Sequence, residues 1–287
     1  MTRASRATGD ESVQVVGGPG SGSVMTFNLG RGASGPAGTG PDDLDRVAEV
    51  IAADGGVDVA ALQEVHAADV PILVEALEKR HGVTGHAHFT ATVPEARMRA
   101  SLARARDRGD APRVAHLEGR QSDYGIGVLS RGPITEVHDH SLPDDRREPR
   151  KVQVVTTSIG GVPLTVMNTH LGLVSDRSLF DLVTFRPAPQ RAQTLAVLAR
   201  AGRNLGPVIA LGDLNQVPAV LAEAVRRTSL QVASDPTRPT CGRRVLDHVL
   251  VSSDITVLGA EVRDVPVSDH RPVVVRIQLP VDADARG

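Results

Sequence analysis

Short apolar runs bounded by Gly, Pro and Asp alternate along the chain with longer stretches whose apolar residues recur at helical spacing. Ser23 to Leu29 is an apolar, β-prone run ended by Gly30-Arg31-Gly32, and a glycine-rich stretch follows to Gly40. Asp42 to Asp54 carries Leu44, Val47, Val50 and Ile51 at helical spacing behind Pro41 and an acidic start, which predicts a helix. Val57 to Val65 predicts a buried strand, and Ala68 to Arg80 a second helix. This alternation predicts layered packing of helices on sheets.

The middle of the chain changes character. Glu95 to Arg113 sets Arg97, Arg99, Arg104, Arg106, Arg108 and Arg113 among alanines, the pattern of an exposed helical insertion. Tyr124–Ser130, Ile134–His140, Val152–Ile159 and Leu164–His170 follow as antiparallel strands separated by turn residues. Helices are predicted at Gln190–Ala201 and Ala219–Arg227, and strands at Pro207–Leu211, Leu246–Val251, Thr256–Val262 and Arg271–Leu279. Without a fixed-period repeat or long linker, a single domain over 23–280 is expected. It would hold the arginine-rich insertion at 95–113, between a flexible lead over 1–22 and a tail over 281–287.

Composition narrows the function classes. Of 287 residues, 40% are apolar and 23% charged, enough for one substantial core, and the net charge of −2 supplies no global attraction to polyanions. All but Lys79 and Lys151 of the 32 basic residues are arginines, a bias attributed to GC-rich coding. Cys241 is the sole cysteine, which excludes an intramolecular disulfide, and it lacks the Cys/His neighbours of a zinc cage. The first 23 residues hold no signal-peptide core, and nowhere do about 18 apolar residues run together to span a membrane. A cytoplasmic monomer is the expectation.

Candidate chemistry gathers where polar residues end apolar strand-like runs, since a layered sheet converges such ends on one edge. Asn28 ends VMTFN, Glu64 ends VAALQE and His170 ends LTVMNTH. Asp213 and Asn215 follow VIALG, Asp247 and His248 enter LDHVLVS, and Asp269-His270 precede RPVVVRI. Carboxylates dominate and sulfur is absent, so a bound metal should be a hard cation such as Mg²⁺ or Mn²⁺. Taken singly, each piece has a plainer reading: Asn28 and Glu64 as caps, Gly212-Asp213-Leu214-Asn215 as an Asx turn, Ser268-Asp269-His270 as a strand cap.

In order along the chain stand Asn28, Gln63-Glu64, Tyr124 to Arg131, Asn168-Thr169-His170-Leu171, Gly212 to Asn215, Leu246-Asp247-His248 and Ser268-Asp269-His270. This set, spanning Val24 to Leu279, resembles the endonuclease/exonuclease/phosphatase superfamily, in its broad bacterial metal-dependent hydrolase branch. The resemblance implies an α+β fold, a four-layer αββα sandwich of two mainly antiparallel sheets flanked by helices, with its site at one rim. It implies hydrolysis of phosphoesters by in-line attack of an activated water, with Mg²⁺, or Mn²⁺ in its place, as cofactor. It also implies roles. Glu64 is the main metal ligand, supported by Asn28 and the negative charge of Asp269. Asp213 activates the water, Asn215 holds a phosphate oxygen, Asp247 orients His270, and His170 contacts the phosphate. Deoxyribonuclease I pairs its counterpart of His170 with a glutamate, but Ile126 and Gly127 here offer none.

Other residues near these motifs read as structural. Tyr124 and Leu129 are expected to be strand packing, Arg131 a strand-end ion pair, and Arg191 and Gln193 residues of the rim. His66, His86, His88, His116, His138, His140 and His248 are expected at surface or turn positions. The partner is a phosphoester substrate, either nucleic acid or a small phosphorylated molecule. Two rivals are a nucleic-acid or phospholigand binding module without catalysis on the same fold, and a nucleic-acid-binding protein using the arginine insertion. Aromatic residues at 2% with no Trp leave few stacking platforms for single strands, which favours a solvated helix over that second reading. Glu95, Asp107 and Asp110 among the arginines likewise favour a solvated helix over a polyanion-facing flap above the rim.

Overall fold

The computed structural model describes residues 18–31, 41–118, 120–143, 149–172, 189–203, 206–226 and 228–281. Most of the predicted lead (1–17) and tail (282–287) therefore lies outside the described residues, as do the side chains of Arg191 and His116.

The first sheet holds β1 (Ser21–Asn28), β2 (Val59–His66), β3 (His86–Val93), β4 (Tyr124–Ser130), β11 (Thr256–Val262) and β12 (Val273–Gln278), in the order β11-β12-β1-β2-β4-β3. The second holds β5 (Glu136–Ser141), β6 (Lys151–Ile159), β7 (Val162–His170), β8 (Val208–Asp213), β9 (Leu230–Val232) and β10 (Asp247–Ser252), in the order β5-β6-β7-β8-β10-β9. Both sheets are antiparallel except for one central parallel pair each, β1 with β2 and β7 with β8. Helices α1 (Pro41–Ala52) and α2 (Asp69–His81) cover the outer face of the first sheet, and α5 (Pro189–Ala201) and α6 (Pro218–Val225) that of the second. This is the α+β, four-layer αββα sandwich.

Strand periodicity assigns each residue to a layer. In β1, Val24 joins the core between the sheets, whereas Met25 and Phe27 face the α1–α2 layer. In β8, Ile209 and Leu211 point between the sheets while Val208 and Ala210 meet the α5–α6 layer. A strand buried on both faces needs apolar residues at every position, which is why these runs are continuous rather than alternating. The inter-sheet core packs Val59, Val166, Ile209, Val249 and Val275 with their neighbours, all fully buried.

The arginine-rich insertion folds as α3 (Glu95–Asp107) and α4 (Ala111–Leu117), between the end of β3 and the start of β4. It is anchored rather than wholly exposed. Met98 and Leu102 pack with Val93, Leu117 and Tyr124 in a satellite cluster. Arg97, Arg99, Arg104, Arg106 and Arg108 are exposed while Arg113 is half-buried, and two of them pair locally, Arg99 with Glu95 and Arg106 with Glu118 at 3.0 Å. Among the described residues, no helix is long and apolar enough to cross a membrane.

Candidate active site at the sandwich rim

The last inter-sheet positions of four central strands carry polar side chains. Alternation that places Val24, Leu211, Val166 and Val249 in the inter-sheet core places Asn28, Asp213, His170 and Asp247 in that same layer where it meets the rim. Register then sets His170 beside Asp213 across the β7–β8 pair, and Asp247 beside Asp213 across the β10–β8 pair. Three chemical groups on adjacent strands share one edge.

Glu64 reaches this rim by a different route. The β2–β4 register shifts between Gln63 and Val65, and Glu64 adopts φ 53°, a left-handed conformation rare for residues other than glycine. The bulge breaks the alternation, so Val65 packs against the helices while Glu64 meets Asn28. Nearby backbone is braced by a buried ion pair that the sequence did not reveal. Arg31 Nε and an Nη donate to both oxygens of Asp69 at 2.8 and 3.1 Å, and Asp69 also accepts the His66 N–H at 3.0 Å.

The polar groups are linked. The Asn28 amide donates to Glu64 at 3.3 Å and to Asp213 Oδ2 at 3.0 Å, joining the two sheets across the rim. Asp213 Oδ1 accepts the Asn215 N–H at 3.0 Å, and the Asn215 amide donates to the Leu171 carbonyl at 2.9 Å. The Asx turn is thus present, and its anchoring leaves Asp213 Oδ2 facing Asn28 and both histidines. Gly212 permits the close β7–β8 approach, because a Cβ there would sit 1.8 Å from the Thr169 carbonyl oxygen. His270 Nδ1 lies 2.8 Å from Asp247 Oδ2, and His270 Nε2 lies 3.8 Å from Asp213. Asp269 is exposed, and its carboxylate overlies Gly30, whose φ of 62° and lack of a side chain leave room for it. Ser268 ties this loop to β1 by donating to the Asn28 carbonyl at 2.8 Å.

Burial sets the protonation pattern. Asp213 is pushed up to about 7, first by loss of water and then by the neighbouring charge of Asp247. Burial opposes a charge on His270, but the charge and hydrogen bond of Asp247 prevail and push it up to about 12. His170 is driven well below the ordinary imidazole range by burial and by the positive charges of Arg150 and His270. Its 3.5 Å approach to Asp213 is therefore the contact of a neutral ring, which answers the missing glutamate partner.

Beneath the rim lies a layer of amides. Gln63 donates to Asn168 at 2.8 Å, and Asn168 donates to the carbonyls of Leu62 and Gly127 at 3.1 and 2.8 Å, stitching β7 to β2 and β4. Polar amides inside apolar strands were the available signal for this network.

Two of the histidines expected at surface or turn positions lie inside the sheets instead. His66 and His248 are buried within strands: His66 contacts the Arg31 carbonyl at 3.2 Å, and His248 the Gln216 carbonyl at 2.8 Å. Arg131, expected in a strand-end ion pair, donates to the Gly55 carbonyl and forms no ion pair among the described residues. Gln193 is fully buried, where it accepts the Gly172 N–H at 2.9 Å and donates to the Pro143 carbonyl at 3.0 Å.

A two-sheet sandwich with carboxylates, amides and two imidazoles gathered at one rim defines a class of protein whose site has the acidic and histidine groups that could hold a metal ion. The profile of the Endonuclease/Exonuclease/phosphatase family matches residues 25–270, and the chain belongs to that family. Its members are phosphoester hydrolases. No curated protein matches the sequence. Among solved structures, an endonuclease/exonuclease/phosphatase of Beutenbergia cavernae aligns with TM-score 0.65 and 24% identity, over 90% of this chain and 72% of that one. A Bacteroides thetaiotaomicron mannosyl-6-phosphatase aligns with TM-score 0.59 and 17% identity, over 89% and 98%. The human nocturnin catalytic domain with bound sulfate aligns with TM-score 0.62 and 17% identity, over 91% and 96%.

Proposed function

We propose that the protein is a Mg²⁺- or Mn²⁺-dependent phosphoester hydrolase that cleaves its substrate by in-line attack of water. The observation that carries this reading is the linkage of Glu64, Asn28 and Asp213 by hydrogen bonds beside the Asp247–His270 couple. The donor set fits a hard cation. Glu64, Asn28 and Asp269 offer oxygen, and Asp247 Oδ1 is a buried carboxylate oxygen with no hydrogen-bond partner among the described residues, leaving negative charge at the rim. Glu64, with Asn28 and Asp269, would hold the ion, which when bound supplies positive charge to the phosphoryl oxygens.

The chain's own residues then divide the remaining work. Asp213 orients the attacking water and accepts its proton as the new P–O bond forms. Asn28 holds the Asp213 carboxylate in place, and Asn215 fixes the turn while presenting its amide toward a phosphate oxygen. Asp247 keeps the His270 ring oriented and charged, so the imidazolium meets the growing charge on phosphorus-bound oxygen. Neutral His170, pressed against Asp213, donates a hydrogen bond to the phosphate as the bond to the leaving oxygen breaks.

The substrate class is a phosphoester of nucleic acid or of a small molecule. The nocturnin neighbour's bound sulfate, a tetrahedral oxyanion, agrees with phosphate binding on this fold. A panel of plasmid DNA, RNA, inositol phosphates, sugar phosphates and nucleotides tests the proposal. Turnover should require Mg²⁺ or Mn²⁺ and stop in EDTA. Full activity in metal-free protein, or binding of these ligands with no turnover of any, would overturn it.

A further inference from the structure

We propose that Cys241, Asp269 and His270 form a second cation site, selective for a thiophilic divalent ion of the zinc class, whose occupation silences the neighbouring rim. Cys241 Sγ, a carboxylate oxygen of Asp269 and a ring nitrogen of His270 all lie within 4.8 Å of one another. Thiolate, imidazole and carboxylate are the donors that zinc takes at tetrahedral sites, and three protein ligands leave the fourth position to water. Sulfur sets this cluster apart from the oxygen-rich Glu64 side, because Mg²⁺ takes oxygen ligands whereas soft thiolate selects zinc.

The frame for such a site already exists. Cys241 forms isolated backbone bridges with both Arg244 and His270, so the sulfur and the imidazole are mounted on one paired turn. The Arg271 N–H donates to the Thr240 carbonyl at 2.7 Å, closing that turn from the other side. A further observation points to a metal. His270 Nδ1 is held at 2.8 Å by Asp247, a fully buried carboxylate. Zinc-bound histidines are oriented in this way by a carboxylate on one ring nitrogen, which leaves the other, here Nε2, for the ion. Cys241 is half-buried and Asp269 exposed, so the ion has a path from solvent. Binding displaces the thiol proton and the Nε2 proton to solvent.

Occupation withdraws His270 from Asp213, 3.8 Å away, and takes Asp269 from the magnesium side. The inhibitory consequence rests on the hydrolase reading; binding does not. Cobalt(II), a spectroscopic stand-in for zinc, is titrated into full-length protein in excess Mg²⁺. One equivalent should raise a thiolate-to-cobalt charge-transfer band that Zn²⁺ bleaches, and the band should be missing from Cys241→Ser and Cys241→Ala. Those variants should keep the parent's unfolding midpoint; because the Cys241 side chain also hydrogen-bonds His270, each variant's own Mg²⁺-supported rate on the best substrate of the panel is the baseline for its zinc inhibition. Zn²⁺ should inhibit the parent at a concentration at least about tenfold lower than Cys241→Ser, since even outer ligand-supporting groups are worth that much affinity. A parent without the band, a band that survives in both variants, or equal zinc inhibition of parent and Cys241→Ser would overturn the proposal. A parent that shows the band, loses it in Cys241→Ser and cleaves no phosphoester would leave the zinc site standing and remove the hydrolase reading instead.

Discussion

Each sheet is centred on a parallel strand pair whose connection includes a helix, β1 to β2 with α1 and β7 to β8 with α5, yet the two pairs meet the rim differently. In the first sheet, Glu64 stands on a left-handed bulge and is only partly buried. In the second, His170 and Asp213 end regular strands and Asp247 begins one, and all three are buried. An open, re-aimed carboxylate can exchange an ion and its waters. Carboxylates packed side by side away from water repel each other and hold a nearby imidazolium, as the raised values of Asp213 and His270 record. On the proposed reading, similar topology would give one sheet an ion-holding end and the other a proton-handling end; the Asn28 amide joins the two ends.

The sharpest break of that comparison uses paired variants. Asp213→Ala and His270→Ala should each lower kcat by roughly 10²–10⁴-fold, the usual worth of a positioned proton-transfer group, while Mn²⁺ affinity measured by calorimetry stays near the parent's. Glu64→Ala should instead lose Mn²⁺ affinity. If all three variants lose metal binding and kcat alike, the division between the sheets is wrong. Asp247→Asn sharpens the same point, because it removes the charge that raises His270; the imidazole followed by NMR should titrate lower in the variant than in the parent.

The seam between the sheets carries the next effect. Asn168→Leu leaves Gln63 and the Leu62 and Gly127 carbonyls without their buried partner, which should cost about 1–3 kcal/mol in denaturant unfolding. A neutral result would mean that the amide layer does not brace the rim.

Acid should act on both sheets through His66 and His248. Burial lowers both from 6.5, so the folded protein prefers them neutral. The stability this preserves is complete above the unfolded value of 6.5 and is lost as pH falls below it through the folded values. A His248→Gln variant should show a shallower acid slope in its unfolding midpoint; an unchanged slope would assign acid sensitivity to other groups.

The smallest effect is expected outside both sheets. Replacing Arg97, Arg99, Arg104, Arg106 and Arg108 with glutamine should alter stability by less than about 1 kcal/mol, as for exposed ion pairs, and spare hydrolysis of a small phosphodiester. A flattened salt dependence of nucleic-acid cleavage would instead mark α3 as a flap over the rim.

Much of the fold was legible because burial on both faces writes continuous apolar runs, as at Tyr124–Ser130, whose ends match the strand; the edge strand Thr256–Val262 also has the expected ends, although only Val262 in it is buried. The edge strand β3, His86–Val93, was not legible because it mixes an exposed and a half-buried histidine with few buried positions. The rim positions were legible for a related reason: a polar residue that ends a run such as VMTFN or VIALG falls in the same face alternation as the apolar residues before it. Local sequence therefore determined most of the strands and helices and which residues stand at their ends, but not the short or edge strands β3 and β9. Tertiary structure alone decided which ends meet. Nothing near Glu64 in sequence specifies its left-handed bulge, the Arg31–Asp69 brace spans 38 positions, and Asn28 meets Asp213 across 185. Periodicity encodes only the face a side chain takes, whereas partners, burial and hence charge state follow from long-range strand pairing.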